Sequence, residues 1–272
     1  MYFGAMAKVD LFEQIHDIIL LDQIEQKCQA VHDLHQGIEH QSFKSNAEIK
    51  KIPLPGYPKD LTLVAPRELK RRGIEHQEGR NILMHAIAHI EYNAINLALD
   101  AAYRFRDQEK QYYLDWIAIA DDEARHFELI QGYLKTHGCN YGHYPAHNGL
   151  WDMAVRTQDD ITGRMALVPR VLEARGLDVT PGIIKRLNRV QDTAAVEILE
   201  VIYNDEIEHV RIGSKWFKYQ CALNNLEPRS TFISLVDHYM HGELRGPFNL
   251  TARLKAGFDE QEMHELEHSL KA

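Results

Sequence analysis

The chain has 272 residues, 44% apolar and 26% charged, with a formal charge of -9 and an isoelectric point of about 6.0. That length suits one large helical domain with extensions, or two smaller domains, and the acidic balance argues against a strongly basic nucleic-acid binder. No apolar run reaches membrane-helix length, no basic and apolar leader opens the sequence, and the cysteines, Cys28, Cys139 and Cys221, give neither a disulfide framework nor a CxxC knuckle; a cytoplasmic location is expected.

Helical spacing of Phe12, Ile15, Ile19, Ile24, Val31 and Leu34, with no proline among them, predicts one helix over residues 8–40. Pro53, Pro55, Gly56, Pro58 and Pro66 predict a fixed, irregular connection, with a short helix near Pro66. A first core helix is expected over about 73–105 and a second over 107–136, ended by Gly138. Residues 139–150 read as a crossover along the outside of a bundle. The third core helix is expected from Trp151 to Arg175, stopped by Gly176 and kinked at Pro169. A short helix over 181–189 and a fourth core helix over 191–223 follow. Beyond Pro228, helices are expected over 231–240 and 259–270, separated by a G-E-L-R-G-P-F-N loop. Strand signals are nearly absent.

One chemical phrase occurs twice. Glu123 precedes His126 by three residues in D-D-E-A-R-H, and Glu206 precedes His209 by three in N-D-E-I-E-H. Each pair follows a lone glutamate: Glu91 stands 32 residues before Glu123, and Glu173 stands 33 before Glu206. A single ExxH match means little in a chain with 16 histidines and 40 acidic residues; two in register, each behind an equally placed glutamate, mean more. Residues three apart share a helix face, so each pair can address one point. Glu91 and Glu173 add a carboxylate from each remaining helix. Four carboxylates and two imidazoles predict a two-metal centre inside an all-α, ferritin-like four-helix bundle of two hairpins and one long crossover. Glu123 and Glu206 are the expected bridges. The donor set suits two iron ions, would accept manganese or zinc, and is poor for copper(I). Three regions are expected: residues 1–65 as an N-terminal helix and connection packed on the bundle, 66–225 as the bundle, and 226–272 as a helical extension.

Asp122 and Asp205 each precede a ligand glutamate and could reach a histidine of the partner helix, or serve as ordinary surface acids. Tyr203 could bond a ligand or simply pack. His85 and His89, an i,i+4 pair, read as structural hydrogen bonders or as supports behind the ligands. Arg125, Arg164, Arg170 and Arg175 read as partners of core acids or as an anion-binding entrance. His143, His147 and Trp151 lie where a lid over the access route could sit.

The segments L-M-H-A-I-A-H-I-E-Y-N-A-I-N-L-A-L-D, A-D-D-E-A-R-H-F-E-L, P-A-H-N-G-L-W-D-M-A, M-A-L-V-P-R-V-L-E-A-R-G-L-D-V-T-P-G and N-D-E-I-E-H-V-R-I-G-S-K-W-F resemble the DUF455 family of ferritin-like proteins over about residues 66–255. The wider di-iron carboxylate group includes rubrerythrins, ribonucleotide reductase small subunits, multicomponent monooxygenases and the tRNA hydroxylase MiaE. The resemblance implies Glu91, Glu123, His126, Glu173, Glu206 and His209 as ligands. The expected function is an oxygen-dependent di-iron oxidase or hydroxylase, using dioxygen or peroxide, a small-molecule substrate and an external electron donor. One alternative is a tRNA-modifying hydroxylase similar to MiaE, with Lys70, Arg71, Arg72 and Arg80 as docking charges. Others are a ferroxidase, peroxidase or iron-handling protein without an organic substrate, and a metal-stabilised structural or interaction protein. No membrane partner is expected.

Overall fold

The computed structural model describes residues 10–69, 73–240, 244 and 246–269. It is all-helical, and no strand occurs among the described residues. Nor is any helix among them long and apolar enough to cross a membrane.

Helix α1 (Leu11–Leu20) starts where the Asp10 carboxylate accepts the amides of Phe12 and Glu13. The expected single N-terminal helix is broken: α2 runs Ile24–Gly37, and residues 21–23 are not helical. Buried Lys27 explains the break. Its ammonium donates to the Ile19 carbonyl at 2.9 Å, the Gly56 carbonyl at 3.0 Å and Asn96 Oδ1 at 2.8 Å. The Gly56 amide also donates to the Ile19 carbonyl, so that group is used by the tertiary structure rather than by a continuing helix. A Cβ on Gly56 would sit 2.3 Å from the carbonyl oxygens of Leu20 and Leu21, which is why glycine stands at this crossing. Residues 8 and 9 lie outside the described residues.

Helices α3 (Gln77–Arg104) and α4 (Lys110–Thr136) form the first hairpin, turning at Asp107 with a φ of 61°. Tyr112 Oη meets the Ala101 carbonyl and Tyr133 Oη meets Gln77, so the two run antiparallel. Gly138, at a φ of 68°, ends α4 as expected, with the Cys139 amide donating back to Leu134. The crossover then packs on the proline-containing connection through bonds between Val64 and Ala146 and between Ala146 and Thr62.

The third core helix departs from expectation at both ends. Trp151 belongs to a separate short helix, α5 (Gly149–Arg156). The long element starts at α6 (Ile161–Leu167), capped by Asp160. It passes through a π-turn, Val168–Glu173, and continues as α7 (Ala174–Arg189). Gly176 does not stop it, and the separate helix expected over 181–189 is its continuation. Pro169 has no amide to give the preceding turn, and the chain absorbs the loss by widening: the Ala174 amide reaches the Pro169 carbonyl five residues back. Pro181 lies inside α7.

Helix α8 (Thr193–Leu223) packs against α4, α6 and α7. The pairs His126–Asp205, Asp122–His209 and Asp115–Trp216 fix α4 and α8 as antiparallel neighbours. After it come α9 (Pro228–Met240), α10 (Leu250–Lys255) and α11 (Glu260–Ser269). Helix α1 lies on α3, α2 on α4, and α9 on α6 and α8. Residues 242, 243 and 245 of the expected loop, and Leu270, lie outside the described residues.

Candidate metal centre

Helices α3, α4 and α8 bring Glu91, Glu123, His126 and Glu206 to one buried point, and the other two predicted ligands, Glu173 and His209, are not part of that close group. Glu91 comes from the middle of α3, Glu123 and His126 from α4, Glu173 from the end of the π-turn, and Glu206 and His209 from α8. All six are buried. One ligand atom from each of Glu91, Glu123, His126 and Glu206 lies within 4.8 Å of the others, a group that could hold a metal ion. His126 Nδ1 stands 3.4 Å from both Glu91 Oε2 and Glu123 Oε2. His209 Nδ1 stands 2.9 Å from Glu123 Oε1. Glu123 thus lies between the two imidazoles.

The outer nitrogens of both histidines are held crosswise. His126 Nε2 lies 3.1 Å from Asp205 of α8, and His209 Nε2 lies 3.3 Å from Asp122 of α4. Arg125 Nη2 joins the two aspartates, at 2.9 Å from Asp122 and 2.7 Å from Asp205. A carboxylate behind an imidazole fixes its tautomer and leaves the other nitrogen free to accept a cation. The sequence repeat placed both aspartates. It could not show that one arginine serves both, because the position matching Arg125 in the second copy is Glu208.

The electrostatics of the cluster follow from crowding acids at a buried point. Burial raises Glu91 to about 7, the charge of Glu123 adding to the effect and the hydrogen bond from His126 opposing it. Glu173 rises to about 8, first through burial and then through the charge of Glu123. The same two causes push Glu206 well above the carboxylate range. Burial acts on Glu123 too, but His209 and His126 outweigh it and hold that carboxyl below its usual value. Burial likewise disfavours a charged His126, yet hydrogen bonds to Glu123 and Glu91 raise it to about 11. His209 is raised well above its usual value, the charge of Glu123 overcoming burial. Outside the cluster, the hydrogen bond from His209 brings Asp122 down to about 2. Glu123 is therefore the charged carboxylate of the cluster, with protons kept on its neighbours.

That proton arrangement leaves the cluster under-satisfied. Glu173 Oε2 and Glu206 Oε2 are buried without a hydrogen-bond partner, while Glu91 Oε2, Glu123 Oε1 and His209 Nδ1 meet only the charged groups of the cluster itself. Each such atom carries a desolvation cost of about 1–3 kcal/mol. Two divalent cations would neutralise four carboxylates and give these atoms partners, so the residues fit the metals that the sequence pattern implies.

Other residues singled out by the sequence take different places. The Tyr203 hydroxyl accepts a hydrogen bond from Asn249 Nδ2 at 3.0 Å, an interaction with the C-terminal segment. His85 and His89 fasten the crossover. His85 Nε2 accepts the Gly142 amide at 2.9 Å, while His89 bonds the Tyr141 hydroxyl at 2.7 Å and the His147 carbonyl at 2.9 Å. Burial lowers both histidines to about 4, so they are neutral spacers. Lys70, Arg71 and Arg72 lie outside the described residues. Arg80 is tied to Asp192 at 2.8 Å and to Gln77. Arg164 pairs with Asp100 at 2.6 Å, and Arg104 bonds the same carboxylate. Periodicity gave no sign of Lys27 or Glu262 as buried charges, because their partners are distant in sequence, nor of the distant Arg164 that Asp100 takes besides the nearby Arg104.

The profile of the DUF455 family, described as "Protein of unknown function (DUF455)", matches residues 20–264. An uncharacterized protein of Haemophilus influenzae is 39% identical over 276 residues, covering 96% of this chain and 96% of its own. No solved structure matches the chain. Matched over most of its length, from α1 to α11, the chain belongs to the DUF455 family.

Proposed function

We propose that this chain is an oxygen-dependent di-iron oxidase or hydroxylase built as a ferritin-like four-helix bundle. The observation that carries the reading is the buried group of Glu91, Glu123, His126 and Glu206, with one ligand atom of each within 4.8 Å of the others, beside His209 at 2.9 Å from Glu123 and the unpartnered Glu173 Oε2 and Glu206 Oε2. Glu91, Glu123, His126, Glu173, Glu206 and His209 would hold two irons, with Glu123, in contact with both imidazoles, as a natural shared carboxylate. Bound irons supply electrons and open coordination positions for dioxygen reduction. The chain's own groups do the rest. Asp205 and Asp122 hold the outer imidazole nitrogens, keeping Nδ1 of His126 and His209 directed inward. The raised carboxyls of Glu91, Glu173 and Glu206 would have to give up their protons to hold cations, so affinity would rise with pH. Burial of all six residues keeps bulk water away. Manganese or zinc would fit the same donors. Reducing equivalents would come from a separate electron-donor protein, since the sequence carries neither a CxxC pair nor a glycine-rich nucleotide fingerprint.

Anaerobic addition of ferrous ion should load close to two irons per chain, and oxygen should then change the absorption spectrum. Loading near zero refutes the reading, as does normal loading in both Glu123→Ala and Glu206→Ala.

A second reading, iron or peroxide handling without an organic substrate, is favoured by the closure of the site. The six ligand candidates are at most 9% exposed. A groove of about 520 Å³ lined by Arg229, Glu260 and His264, and a cavity of about 140 Å³ lined by His16, Tyr103 and Arg106, lie elsewhere. Turnover of ferrous ion or peroxide alone, without oxidation of added organic compounds, would select it. The tRNA version loses Arg80, whose guanidinium is engaged internally.

A further inference from the structure

The two halves of the sequence repeat are equivalent in their ligands but not in what braces them. Helices α1 and α2 lie against α3 and α4, the elements of Glu91, Glu123 and His126. The C-terminal segment grips the elements of Glu173 and Glu206 instead, at three points. Arg253 makes two bonds of 2.8 and 2.9 Å to Asp178, five residues after Glu173. Asn249 donates to the hydroxyl of Tyr203, three residues before Glu206. Glu262 of α11 receives Arg170, three residues before Glu173 and inside the same π-turn.

The third grip is the most constrained. Arg170 is fully buried. Its Nη2 donates to both oxygens of Glu262 at 2.7 Å, and its Nε donates to Ser214 Oγ at 3.2 Å. The guanidinium carbon lies 4.7, 4.3 and 4.4 Å from the ring centres of Phe217, Phe232 and Phe258, a cage that excludes water and favours a cation. Next to it, Pro169 presses on α8 at Gly213, where a Cβ would stand 2.3 Å from the proline Cβ. The π-turn is therefore clamped between α8 and the C-terminal segment, and Glu262 supplies the only carboxylate that meets Arg170 among the described residues. A π-turn is a rare, wider interruption of an α-helix; reverting to the regular form would rotate Glu173 relative to the cluster.

We propose that Glu262 is a positioning residue for the metal centre: by holding Arg170 in the aromatic cage it keeps the π-turn that aims Glu173, so the C-terminal helix sets the affinity of one of two metal positions. This rests on the two-metal reading above. The group of Glu91, Glu123, His126 and Glu206 does not depend on the π-turn and would still take one ion.

The test is a titration of the metal-free full chain with cobalt(II), followed by its visible absorption and by bound metal per chain, alongside circular dichroism and thermal unfolding. Wild type is expected to bind two ions. In Glu262→Gln the first should bind as before and the second about 10-fold or more weaker, with Glu262→Asp recovering part of the loss. Lys27→Met removes a buried anchor on the other side of the fold and should leave the two affinities in their wild-type ratio. Should Glu262→Gln not fold, Phe258→Leu, which opens one wall of the cage and keeps the ion pair, carries the same expectation. Two ions bound with unchanged affinities in Glu262→Gln overturn the positioning role alone, and so does the same selective loss in Lys27→Met. No cobalt bound by wild type overturns the metal reading and this inference with it.

Discussion

Replacing Glu173 by glutamine should stabilise the metal-free protein while damaging its metal binding. Glu173 is buried, its Oε2 has no hydrogen-bond partner, and its carboxyl is raised from 4.5 to about 8. A raised carboxyl stays protonated in the fold where the unfolded chain has already released its proton. The stability it contributes is complete below pH 4.5 and is lost as pH climbs through 8. At about 1.4 kcal/mol per pH unit, the loss at pH 7 is on the order of 3 kcal/mol. Glutamine has nearly the same shape and no proton to release, so it removes this penalty. Urea unfolding of metal-free wild type and Glu173→Gln should give matching stabilities near pH 4.5 and an advantage for the variant of about 3 kcal/mol near pH 7. Thermal unfolding should show the same trend, with an increase of about 6 °C at the higher pH. With metal present the order should reverse, because wild type gains binding energy that the variant lacks. A variant less stable than wild type at pH 7 without metal, or a difference that does not change with pH, would refute the account of Glu173 as a buried, unsatisfied acid.

Arg125→Ala removes the link between Asp122 and Asp205 and should weaken metal binding about 10-fold by loosening both histidines; a competition titration against a chelator measures it, and unchanged affinity would mean the aspartates hold the imidazoles unaided. Lys27→Met leaves Asn96 Oδ1 without its donor, the Ile19 and Gly56 carbonyls keeping the Gly56 amide and the Tyr92 hydroxyl, and should cost about 1–3 kcal/mol in denaturant unfolding, while bound metal per chain stays as in wild type. Gly213→Ala drives a methyl into Pro169; it should cost about 1–3 kcal/mol and lower metal content, and a variant with wild-type melting and loading would show that α8 and the π-turn yield easily.

The legible part of the site was the part that repeats. The three-residue interval in Glu123–His126 and Glu206–His209 is one turn of helix, so the sequence alone put each pair on one face. The nearly equal leads of Glu91 and Glu173, 32 and 33 residues, put two further acids at similar heights, and the fold buries all six and gathers Glu91, Glu123, His126 and Glu206 within 4.8 Å. Asp122 and Asp205 were legible for the same reason, being fixed to their neighbours by helical geometry. Tyr203 shows where this logic stops: its interval to Glu206 is also three, yet Asn249 takes its hydroxyl, and nothing in the local sequence specifies Asn249. His85 and His89 likewise lie one helix turn apart, but the face they share looks toward the crossover.

By itself the sequence determined the all-helical class, the spacing of the acids and imidazoles, and the stop at Gly138, because helix period and left-handed backbone are decided within a few residues. Only the tertiary structure decided the rest. Lys27 breaks the first helix because its three acceptors lie on three separate stretches of chain. Pro169 produces a π-turn rather than a stop because α8 offers Gly213 to receive it and α11 offers Glu262 to hold Arg170 beside it. One arginine serves two aspartates because α4 and α8 run antiparallel in a register that local periodicity does not encode. Buried charges are stable only with a partner, and where that partner is distant along the chain, the fold chooses it.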